Sequence, residues 1–475
     1  MFVHTTLSLC AVRLALAAAG LASMEVAAMA REPITLHPDN PHYFLFRGKP
    51  TVLITSGEHY GAVLNGGFDY RKYLATLQKL GFNLTRTFSG AYCEPVGAFS
   101  IRDNTLAPAK GKLICPWARS AAAGYPNGGN KFDLGKWDAA YFQRLRDFLQ
   151  EASKRGVVVE LVLFCPFYKD AMWELSPMNA ANNVSGVGSM KRTSAYTLRS
   201  GKLLAVQDAM VRKIVAELKG FDNLYYEICN EPYFGGVTLA WQHHIAETIA
   251  DAEKAFAHRH LIAQNIANGS KRIVKPHPAV SIFNFHYATP PKAVAINYAL
   301  DKPIGDDETG FKGSGDDAYR MEGWDFIVAG GGVYDNLDYS FTCGHESGTA
   351  RNKAPGGGGA SLHKQLGILA KFINGFDFVR MRPMDSVVTG GVPDKGTARA
   401  LVEPGRQYAV YVRGGTRATL KLRLPAGSYK ATWVDTKTGR AAKSESFGHD
   451  GGDRALGSPK YRADVALRVV RAAGR

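Results

Sequence analysis

Residues Tyr225-Tyr226-Glu227-Ile228-Cys229-Asn230-Glu231-Pro232 form a β-branched and aromatic run that stops abruptly at Asn-Glu-Pro. A second run, Lys302-Pro303-Ile304-Gly305-Asp306-Asp307-Glu308-Thr309-Gly310, also ends in a carboxylate that is followed by a turn glycine. Runs of this composition, bounded by proline and glycine, are typical of strands. The two runs therefore predict two strands that each carry a glutamate, Glu231 or Glu308, at the carboxyl end.

Strand and helix patterns alternate on both sides of these runs, from residue 50 to about residue 378. Between the strands, apolar residues recur at helical spacing, as at Leu145, Phe148, Leu149 and Ala152. Parallel strands need helical crossovers, so the pattern predicts an α/β fold, either a closed (β/α)8 TIM barrel or a doubly wound open sheet. Eight successive units favour the barrel. The predicted strands are Pro50–Gly57, Phe82–Gly90, Val157–Phe167, the run from Asn223 to Asn-Glu-Pro, Leu261–Ala267, Val280–Tyr287, Pro303–Glu308 and Gly332–Phe341.

The pattern changes after Phe378. The segment Asp385–Gly396 is rich in glycine, proline and small polar residues and is interpreted as a linker. Short alternating strands separated by turn residues follow it, which is typical of a small antiparallel β-sandwich. We therefore expect a barrel large enough to be a catalytic domain over residues 31–382 and an all-β sandwich over residues 383–475. The predicted sandwich strands are Ala398–Val402, Gln407–Val412, Ala418–Leu424, Tyr429–Val434 and Ala463–Val470.

The first thirty residues differ from the rest of the chain. An apolar stretch, Ala15–Ala22, follows Arg13, and Ala28-Met29-Ala30 fits a small-x-small cleavage site. This pattern predicts a secretory signal peptide over residues 1–30 and a mature protein that is secreted or periplasmic. The apolar stretch is too short to span a bilayer, and no later segment reaches spanning length, so no stable membrane insertion is expected.

Charge and cysteine content narrow the function classes. The formal net charge is +16, but lysine and arginine are spread without a dense basic run, so no nucleic-acid partner is expected and an acidic glycan is a secondary option. No CxxC pair or zinc spacing is present, and no metal or cofactor is expected. A Cys93–Cys115 bridge and scattered buried thiols are equally open. Nothing indicates the oligomeric state.

A pair of glutamates at the carboxyl ends of barrel strands suits one chemistry. Cleavage of a glycosidic bond needs one carboxyl group that protonates the leaving oxygen and a second that attacks or stabilises the anomeric carbon. If Glu231 and Glu308 end the fourth and seventh strands, they face each other across the mouth of the barrel. The sequence therefore predicts a glycoside hydrolase whose partner is a poly- or oligosaccharide.

The chain resembles the clan A glycoside hydrolases, the cellulase-like (β/α)8 enzymes, over roughly residues 33–380. The resemblance rests on Asn230-Glu231-Pro232, on Glu308, on Arg86 in Asn83-Leu84-Thr85-Arg86, and on Phe285-His286-Tyr287. It implies that Asn230 bonds the sugar 2-hydroxyl, that Glu231 is the acid/base and that Glu308 is a nucleophile supported by Arg86, with retention of configuration. The C-terminal part resembles the sandwich of apiosidase-like proteins.

The chain departs from this resemblance just before the second glutamate. Asp306 and Asp307 stand where many relatives carry apolar residues, and strand alternation predicts Asp306 on the same face as Glu308. The nucleophile is therefore open between Asp307 and Glu308. Arg86 can equally form a structural ion pair, and His286 can equally be a hydrogen-bonded core histidine.

Loop residues supply further candidates for sugar binding. His59 and Trp117 are preferred, together with His286 and Tyr287 of the motif after the sixth strand. Aromatic side chains can stack on sugar faces, although about half of such residues pack the loops instead. The remaining candidates are Glu58, Tyr60, Tyr92, Glu94, Tyr168, Trp173, Tyr233, Phe234, Asn336, Tyr339, His345 and Glu346.

Two other functions fit the same fold. The first is a non-catalytic carbohydrate-binding protein, because a fold does not fix a function. The second is a metal-dependent hydrolase that would use His59, His286, Asp306 and Asp307. The His-x-His of such enzymes is absent from the first strand, where Glu58-His59-Tyr60 supplies one histidine.

Overall fold

The computed structural model describes residues 32–351 and 356–472. The predicted signal peptide lies outside these residues. Eight parallel strands form one sheet, in the order β1-β8-β7-β6-β5-β4-β3-β2, which confirms the predicted barrel. Its strands are β1 Leu53–Gly57, β2 Leu84–Phe88, β3 Val158–Phe164, β4 Leu224–Cys229, β5 Leu261–Asn268, β6 Ile282–His286, β7 Ile304–Glu308 and β8 Val333–Leu337.

The barrel has a seam between β1 and β2, which are neighbours without a regular ladder. The side chain of Asn83 bridges the seam, because its Oδ1 accepts from the Ile54 amide at 2.9 Å and its Nδ2 donates to the Val52 carbonyl at 2.8 Å. At the carboxyl-terminal end of β2, the Phe88 amide donates to the Tyr60 carbonyl at 2.9 Å. These bonds satisfy backbone groups that a closed ladder would otherwise pair.

Helices follow every barrel strand except β5, where residues 269–281 contain no helix. The prediction of eight strand–helix units is therefore wrong at one position. Local sequence explains the helix ends: Asp69 caps the first helix by accepting from the Lys72 amide, and Gly81 ends it in the left-handed region at φ 78°. The helices that follow the strands are α1 Tyr70–Leu80, α2 Ala139–Lys154, α3 Lys202–Leu218, α4 Leu239–Ala252, α5 Lys292–Asn297, α6 Asp316–Val328 and α7 Ala360–Ile373, and a further short helix, Asp170–Leu175, lies between β3 and α3.

A small antiparallel sheet that the sequence patterns did not reveal closes the amino-terminal mouth of the barrel. Its strands are Thr35–Leu36, Phe44–Phe46 and Lys49–Thr51. The predicted first strand, Pro50–Gly57, is thus divided between this sheet and β1. The buried rings of Phe44 and Phe46 pack against the first residues of the barrel strands. In barrels of this type, active sites lie at the opposite, carboxyl-terminal mouth.

The C-terminal part is a β-sandwich whose two antiparallel sheets enclose a separate apolar core. The predicted linker contains an edge strand of the smaller sheet, Val388–Gly390, because its apolar side chains pack into that core. Two strands, Ala441–His449 and Gly452–Gly457, were not predicted. The larger sheet contains Arg382–Pro383, Thr397–Glu403, Gln407–Arg413, Asp464–Arg471, Gly427–Val434 and Ala441–His449, and the smaller contains Val388–Gly390, Thr419–Leu424 and Gly452–Gly457.

Barrel and sandwich are joined through a buried ion pair. Arg320 of α6 donates to both carboxylate oxygens of Asp464, which also accepts from Tyr411 at 3.2 Å and from Thr436 at 2.8 Å. The rings of Trp324 and Tyr411 stack beside it, with centroids 5.7 Å apart. The sandwich is therefore packed on the α6 side of the barrel.

Two smaller expectations can be compared with the described residues. Cys93 and Cys115 are both buried and free, so the bridge that was considered between them is not formed. No helix within residues 32–351 and 356–472 is long and apolar enough to cross a bilayer.

Candidate active site

The two predicted glutamates meet at the carboxyl-terminal mouth of the barrel. Glu231 follows β4, Glu308 ends β7 and His286 ends β6. One carboxylate oxygen from each glutamate and one ring nitrogen of His286 all lie within 4.8 Å of one another. All three side chains are buried. The fold therefore brings together residues that are up to 77 positions apart in the sequence (308 − 231).

Glu231 is held by three hydrogen-bond donors. Tyr168 donates to its Oε2 at 2.6 Å, Tyr233 donates to its Oε1 at 3.2 Å, and His286 Nδ1 lies 3.1 Å from Oε1. Burial raises the pKa of Glu231, but the hydrogen bond and charge of His286 and the two tyrosine bonds outweigh it, so the pKa lies below its usual value. Glu231 therefore favours the ionised form in the free protein.

Glu308 has a different set of donors. Tyr287 donates to its Oε1 at 2.5 Å, and Tyr60 donates to its Oε2 at 3.2 Å. Arg86 Nη1 lies 3.5 Å from Oε2. Burial and the charge of Glu308 raise the pKa of both tyrosines, which keeps them protonated and able to donate. These contacts orient Glu308 and stabilise its charge.

Arg86 lies directly below this pair and is fully buried. Its Nη2 donates to Glu227 Oε1 at 2.5 Å and to Asn230 Oδ1 at 2.9 Å, while Nε lies 3.2 Å from Asp307 Oδ2. Burial lowers the pKa of Arg86, but Glu227 and Asp307 more than restore it, so the guanidinium stays charged. Arg86 is thus both a structural ion-pair partner and a neighbour of Glu308.

Three acidic side chains surround Arg86 in the barrel core, and we name Glu160, Glu227 and Asp307 the carboxyl triad. One oxygen from each lies within 4.8 Å of the others. The Nδ2 of Asn284 contacts all three, at 2.7, 2.9 and 2.8 Å respectively. Such proximity requires that at least one carboxyl group holds a proton, because like charges this close cannot all be ionised.

The pKa shifts assign the protons within the carboxyl triad. Burial, reinforced by the charge of Glu227, raises the pKa of Glu160 and of Asp307 well above their usual values. Burial also acts on Glu227, but Arg86 and hydrogen bonds from the other two carboxyl groups bring its pKa below the usual value. Glu227 is therefore the ionised partner of Arg86, with Glu160 and Asp307 favouring the protonated form.

The expected placement of Asp306 beside Glu308 is wrong. The pairing of β6 with β7 shifts register so that Phe285 faces Asp306 but His286 faces Glu308. This bulge turns Asp307 into the barrel, 3.5 Å from His286 Nε2. Asp306 accepts from the Ala288 amide at 3.2 Å outside the barrel interior and is influenced by the charge of Glu322 in α6. Asp307 lies below Glu308 and not in the pocket, so of these two carboxyl groups it is Glu308 that faces the pocket.

A pocket of about 460 Å³ opens above the glutamate pair. Of the predicted residues, Asn230, Glu231, Glu308, Tyr287 and His59 line it; Arg86 and His286 lie beneath, and Trp117 does not reach it. Trp117 was expected to bind sugar, but it is fully buried and pairs with Trp137 in a hairpin of the loop after β2. Three of the further candidates, Tyr60, Glu94 and Tyr168, also line it, and the remaining lining residues are Phe88, Phe99, Ile101, Leu106, Cys165 and Phe311.

Exposed aromatic side chains stand at the rim of the pocket. Phe99 and Phe311 line it and are 37% and 47% exposed. Tyr233 and Phe234 are exposed beside Glu231, with their rings 5.0 Å apart. Aromatic faces in this position suit stacking against sugar rings. Tyr233 and Phe234 were predicted; Phe99 and Phe311 were missed, because irregular loops carry no periodic signal.

Backbone strain is concentrated around the same pocket. The lining residues with positive φ are Tyr60, Phe99, Glu231, Tyr287 and Phe311, at φ values between 35° and 63°. Bulky residues adopt this region at a cost of roughly 1–3 kcal/mol each, and such residues cluster at functional sites. Four of these five residues are aromatic, so the strain adds an observation that supports a functional role for the pocket beside its carboxylates.

The residues proposed for a metal-dependent hydrolase are not brought together. Among the described residues, the two acidic or histidine groups compact enough to hold an ion are Glu231 with His286 and Glu308, and the carboxyl triad. His59 and Asp306 belong to neither. Arg86 supplies the positive charge within the triad.

The chain shares its fold with known glycoside hydrolases. A glycoside hydrolase family 5 structure from Bacteroides vulgatus ATCC 8482 superposes with a TM-score of 0.63 at 14% identity, over 92% of this chain and 93% of that one. Another structure named a glycoside hydrolase gives a TM-score of 0.62 at 14% identity, over 94% and 98% of the two chains. The sequence itself matches no protein-family model and no curated protein.

Proposed function

We propose that this protein is an exported, retaining glycoside hydrolase that cleaves a poly- or oligosaccharide, with Glu231 as acid/base and Glu308 as nucleophile. One observation carries the proposal: oxygens of the two carboxylates lie within 4.8 Å. Retaining enzymes separate these groups by about 5–5.5 Å, whereas inverting enzymes leave about 6.5–9.5 Å for a water molecule. The shared fold with glycoside hydrolases supports the same function.

The contacts suggest how the first step proceeds. Glu308, oriented by Tyr287 and Tyr60, attacks the anomeric carbon, and the bond from that carbon to the leaving oxygen breaks. Asn230 is fixed at both ends of its amide, because Oδ1 accepts from Arg86 and Nδ2 donates to Tyr168 at 2.9 Å. It lines the pocket and is therefore positioned to bond the sugar 2-hydroxyl.

The leaving oxygen needs a proton, although Glu231 favours the ionised form in the free protein. His286 Nδ1 lies 3.1 Å from Glu231 Oε1, so a proton can move between these two side chains. The first step therefore starts from the form in which Glu231 carries a proton, and Glu231 gives that proton to the glycosidic oxygen as the bond to the anomeric carbon breaks. In the second step Glu231, ionised again, accepts a proton from the water that releases the sugar from Glu308.

The test is the pair of variants Glu231→Gln and Glu308→Gln, assayed for reducing-sugar release from neutral and uronate-containing glycans. We expect each to lower turnover by about 10²- to 10⁴-fold or more while the fold is kept. Glu174→Gln is the matched control, because Glu174 is exposed and lies outside the pocket.

A leaving group of low pKa separates the two roles. A dinitrophenyl glycoside needs no proton to depart, so it should restore glycosyl transfer in Glu231→Gln but not in Glu308→Gln. Near-wild-type release by both variants would exclude the proposed mechanism. Sugar binding without release by the wild-type protein would favour a non-catalytic carbohydrate-binding protein.

Export is the part of the proposal that depends on residues 1–30. A charged residue, an apolar stretch and a small-residue cleavage site occur there in the order of a signal peptide. Amino-terminal sequencing of the protein recovered from the periplasm or medium should begin at Arg31. A mature protein that keeps residues 1–30 in the cytoplasm would exclude export.

A further inference from the structure

We propose that Glu94 and His59 recognise the sugar unit held in the pocket and restrict it to neutral sugars, so that uronates are excluded. This inference rests on the proposed function, because the unit recognised is the one whose bond the glutamate pair would cleave. Both residues line the pocket, but neither belongs to the glutamate pair or to the groups that support it. They come from the loops after β2 and β1.

Glu94 is a buried carboxylate that the protein holds in a fixed position. Tyr92 donates to its Oε1 at 3.0 Å, and Asn104 donates to its Oε2. Its backbone amide donates to the Leu106 carbonyl at 2.8 Å. A carboxylate fixed in this way accepts a further hydrogen bond from a ligand without a loss of side-chain freedom.

His59 has unused hydrogen-bonding capacity at the same place. Its side chain is 10% exposed, and within the described residues neither Nδ1 nor Nε2 has a hydrogen-bond partner. Nε2 lies 3.8 Å from Glu94 Oε2, which is too long for a direct bond. A hydroxyl group between them could donate to the carboxylate and accept from the ring. Binding of a sugar would thus satisfy a buried polar group that is costly to leave unpaired.

The charge of the pocket excludes an acidic sugar. Three carboxyl-bearing residues line it, Glu94, Glu231 and Glu308, and no lysine or arginine is among its described lining residues. Arg86 lies beneath and is already engaged with Glu227 and Asp307. A uronate carboxylate would therefore meet like charges in a partly apolar pocket, and no lysine or arginine among the described lining residues would pair with it.

Matched pairs of p-nitrophenyl glycosides test this proposal: glucoside against glucuronide, and galactoside against galacturonide. The members of each pair differ only at C6. We expect kcat/KM for the neutral member to exceed that for the uronide by about 100-fold or more. Glu94→Gln should lower kcat/KM on the neutral sugar by about 10- to 100-fold and reduce the discrimination at least about tenfold. Glu174→Gln should change neither value.

His59→Phe provides a second variant, since it keeps the ring that stacks on Tyr60 but removes both nitrogens. It should lose about tenfold on neutral sugars. Equal or faster hydrolysis of the uronides, or a discrimination ratio that Glu94→Gln leaves unchanged, would overturn the proposal.

Binding to Glu308→Gln separates recognition from catalysis. Free glucose or galactose should raise the Tm of this variant, whereas the corresponding uronic acids should not, and adding Glu94→Gln should abolish the shift. If the wild-type protein hydrolyses nothing but this pattern holds, the hydrolase proposal fails and the recognition proposal stands. If no neutral sugar is bound or cleaved, the recognition proposal fails.

Discussion

The protonation states within the carboxyl triad predict that three similar substitutions differ in their effect on folding stability. Glu160→Gln, Glu227→Gln and Asp307→Asn each replace a carboxyl group by an amide of nearly the same shape. Glu160 and Asp307 favour the protonated form, which an amide imitates, so their variants should fold normally at neutral pH. Glu227 is the ionised partner of Arg86, and its replacement should destabilise the protein.

The magnitudes follow from the contacts. Removing one partner of a buried ion pair costs about 3–5 kcal/mol, and this is the upper value for Glu227→Gln. Asp307, whose Oδ2 lies 3.2 Å from Arg86 Nε, can ionise in its place and recover part of the loss. Asp307→Asn leaves the Glu227–Arg86 pair intact, and its amide oxygen can still accept from Arg86. We therefore expect Glu227→Gln to be the least stable of the three.

The pH dependence gives a sharper test, because the folded-state pKa of Asp307 is raised. The native state keeps a proton that the unfolded chain releases above about pH 4, so this group costs stability as the pH rises towards its folded pKa. Asp307→Asn removes that cost. Its stability relative to wild type should rise by up to about 1.4 kcal/mol per pH unit above pH 4. The stability of Glu160→Gln relative to wild type should rise with pH in the same way, because the pKa of Glu160 is also raised.

Urea unfolding followed by tryptophan fluorescence at several pH values between 4 and 7 measures these differences. The comparison of variants at each pH cancels the contribution of all other titrating groups that they share. A stability difference between Asp307→Asn and wild type that does not change with pH would refute the proton assignment. So would a Glu227→Gln variant that is as stable at neutral pH as the other two.

Two further predictions concern the proposed nucleophile, Glu308, and the domain junction. Tyr287→Phe removes the shorter hydroxyl contact to Glu308 and should lower kcat/KM by about 10- to 150-fold, more than Tyr60→Phe, whose hydroxyl contact is 3.2 Å; equal losses would contradict the proposed role of these contacts. Asp464→Asn disrupts the buried junction and should cost about 3–5 kcal/mol in urea unfolding, whereas Asp453→Asn, in an exposed ion pair, should cost less than about 1 kcal/mol.

The strands and the residues at their carboxyl ends could be predicted because buried strands have a recognisable local composition. All eight barrel strands were predicted, and Glu231 and Glu308 were visible as charges at the carboxyl ends of two of them. Glu160 and Glu227 could also have been recognised as core residues with a partner, because a charged residue inside a buried strand needs one. Glu160 is such a residue within the predicted strand Val157–Phe167, but it was not among the predicted site residues.

Other features depend on contacts that no single stretch of sequence specifies. The bulge that turns Asp307 inward arises from the pairing of β7 with β6, so simple alternation misplaced Asp306. Trp117 looked like a loop aromatic, yet its hairpin buries it. Phe99 and Phe311 reach the pocket through irregular backbone with positive φ, a conformation that their own residue type disfavours.

The seam between β1 and β2 separates the residues to which the two proposed tasks, bond cleavage and sugar recognition, are assigned. Glu231 and Glu308 are aligned by the continuous ladder from β4 through β7, whereas His59 and Glu94 are carried by loops on either side of the seam. Insertions or substitutions in those two loops would not disturb the pairing of strands, because no regular ladder joins β1 to β2. The architecture would therefore allow sugar preference to diversify in evolution, or in the laboratory, while the bond-breaking machinery stays unchanged.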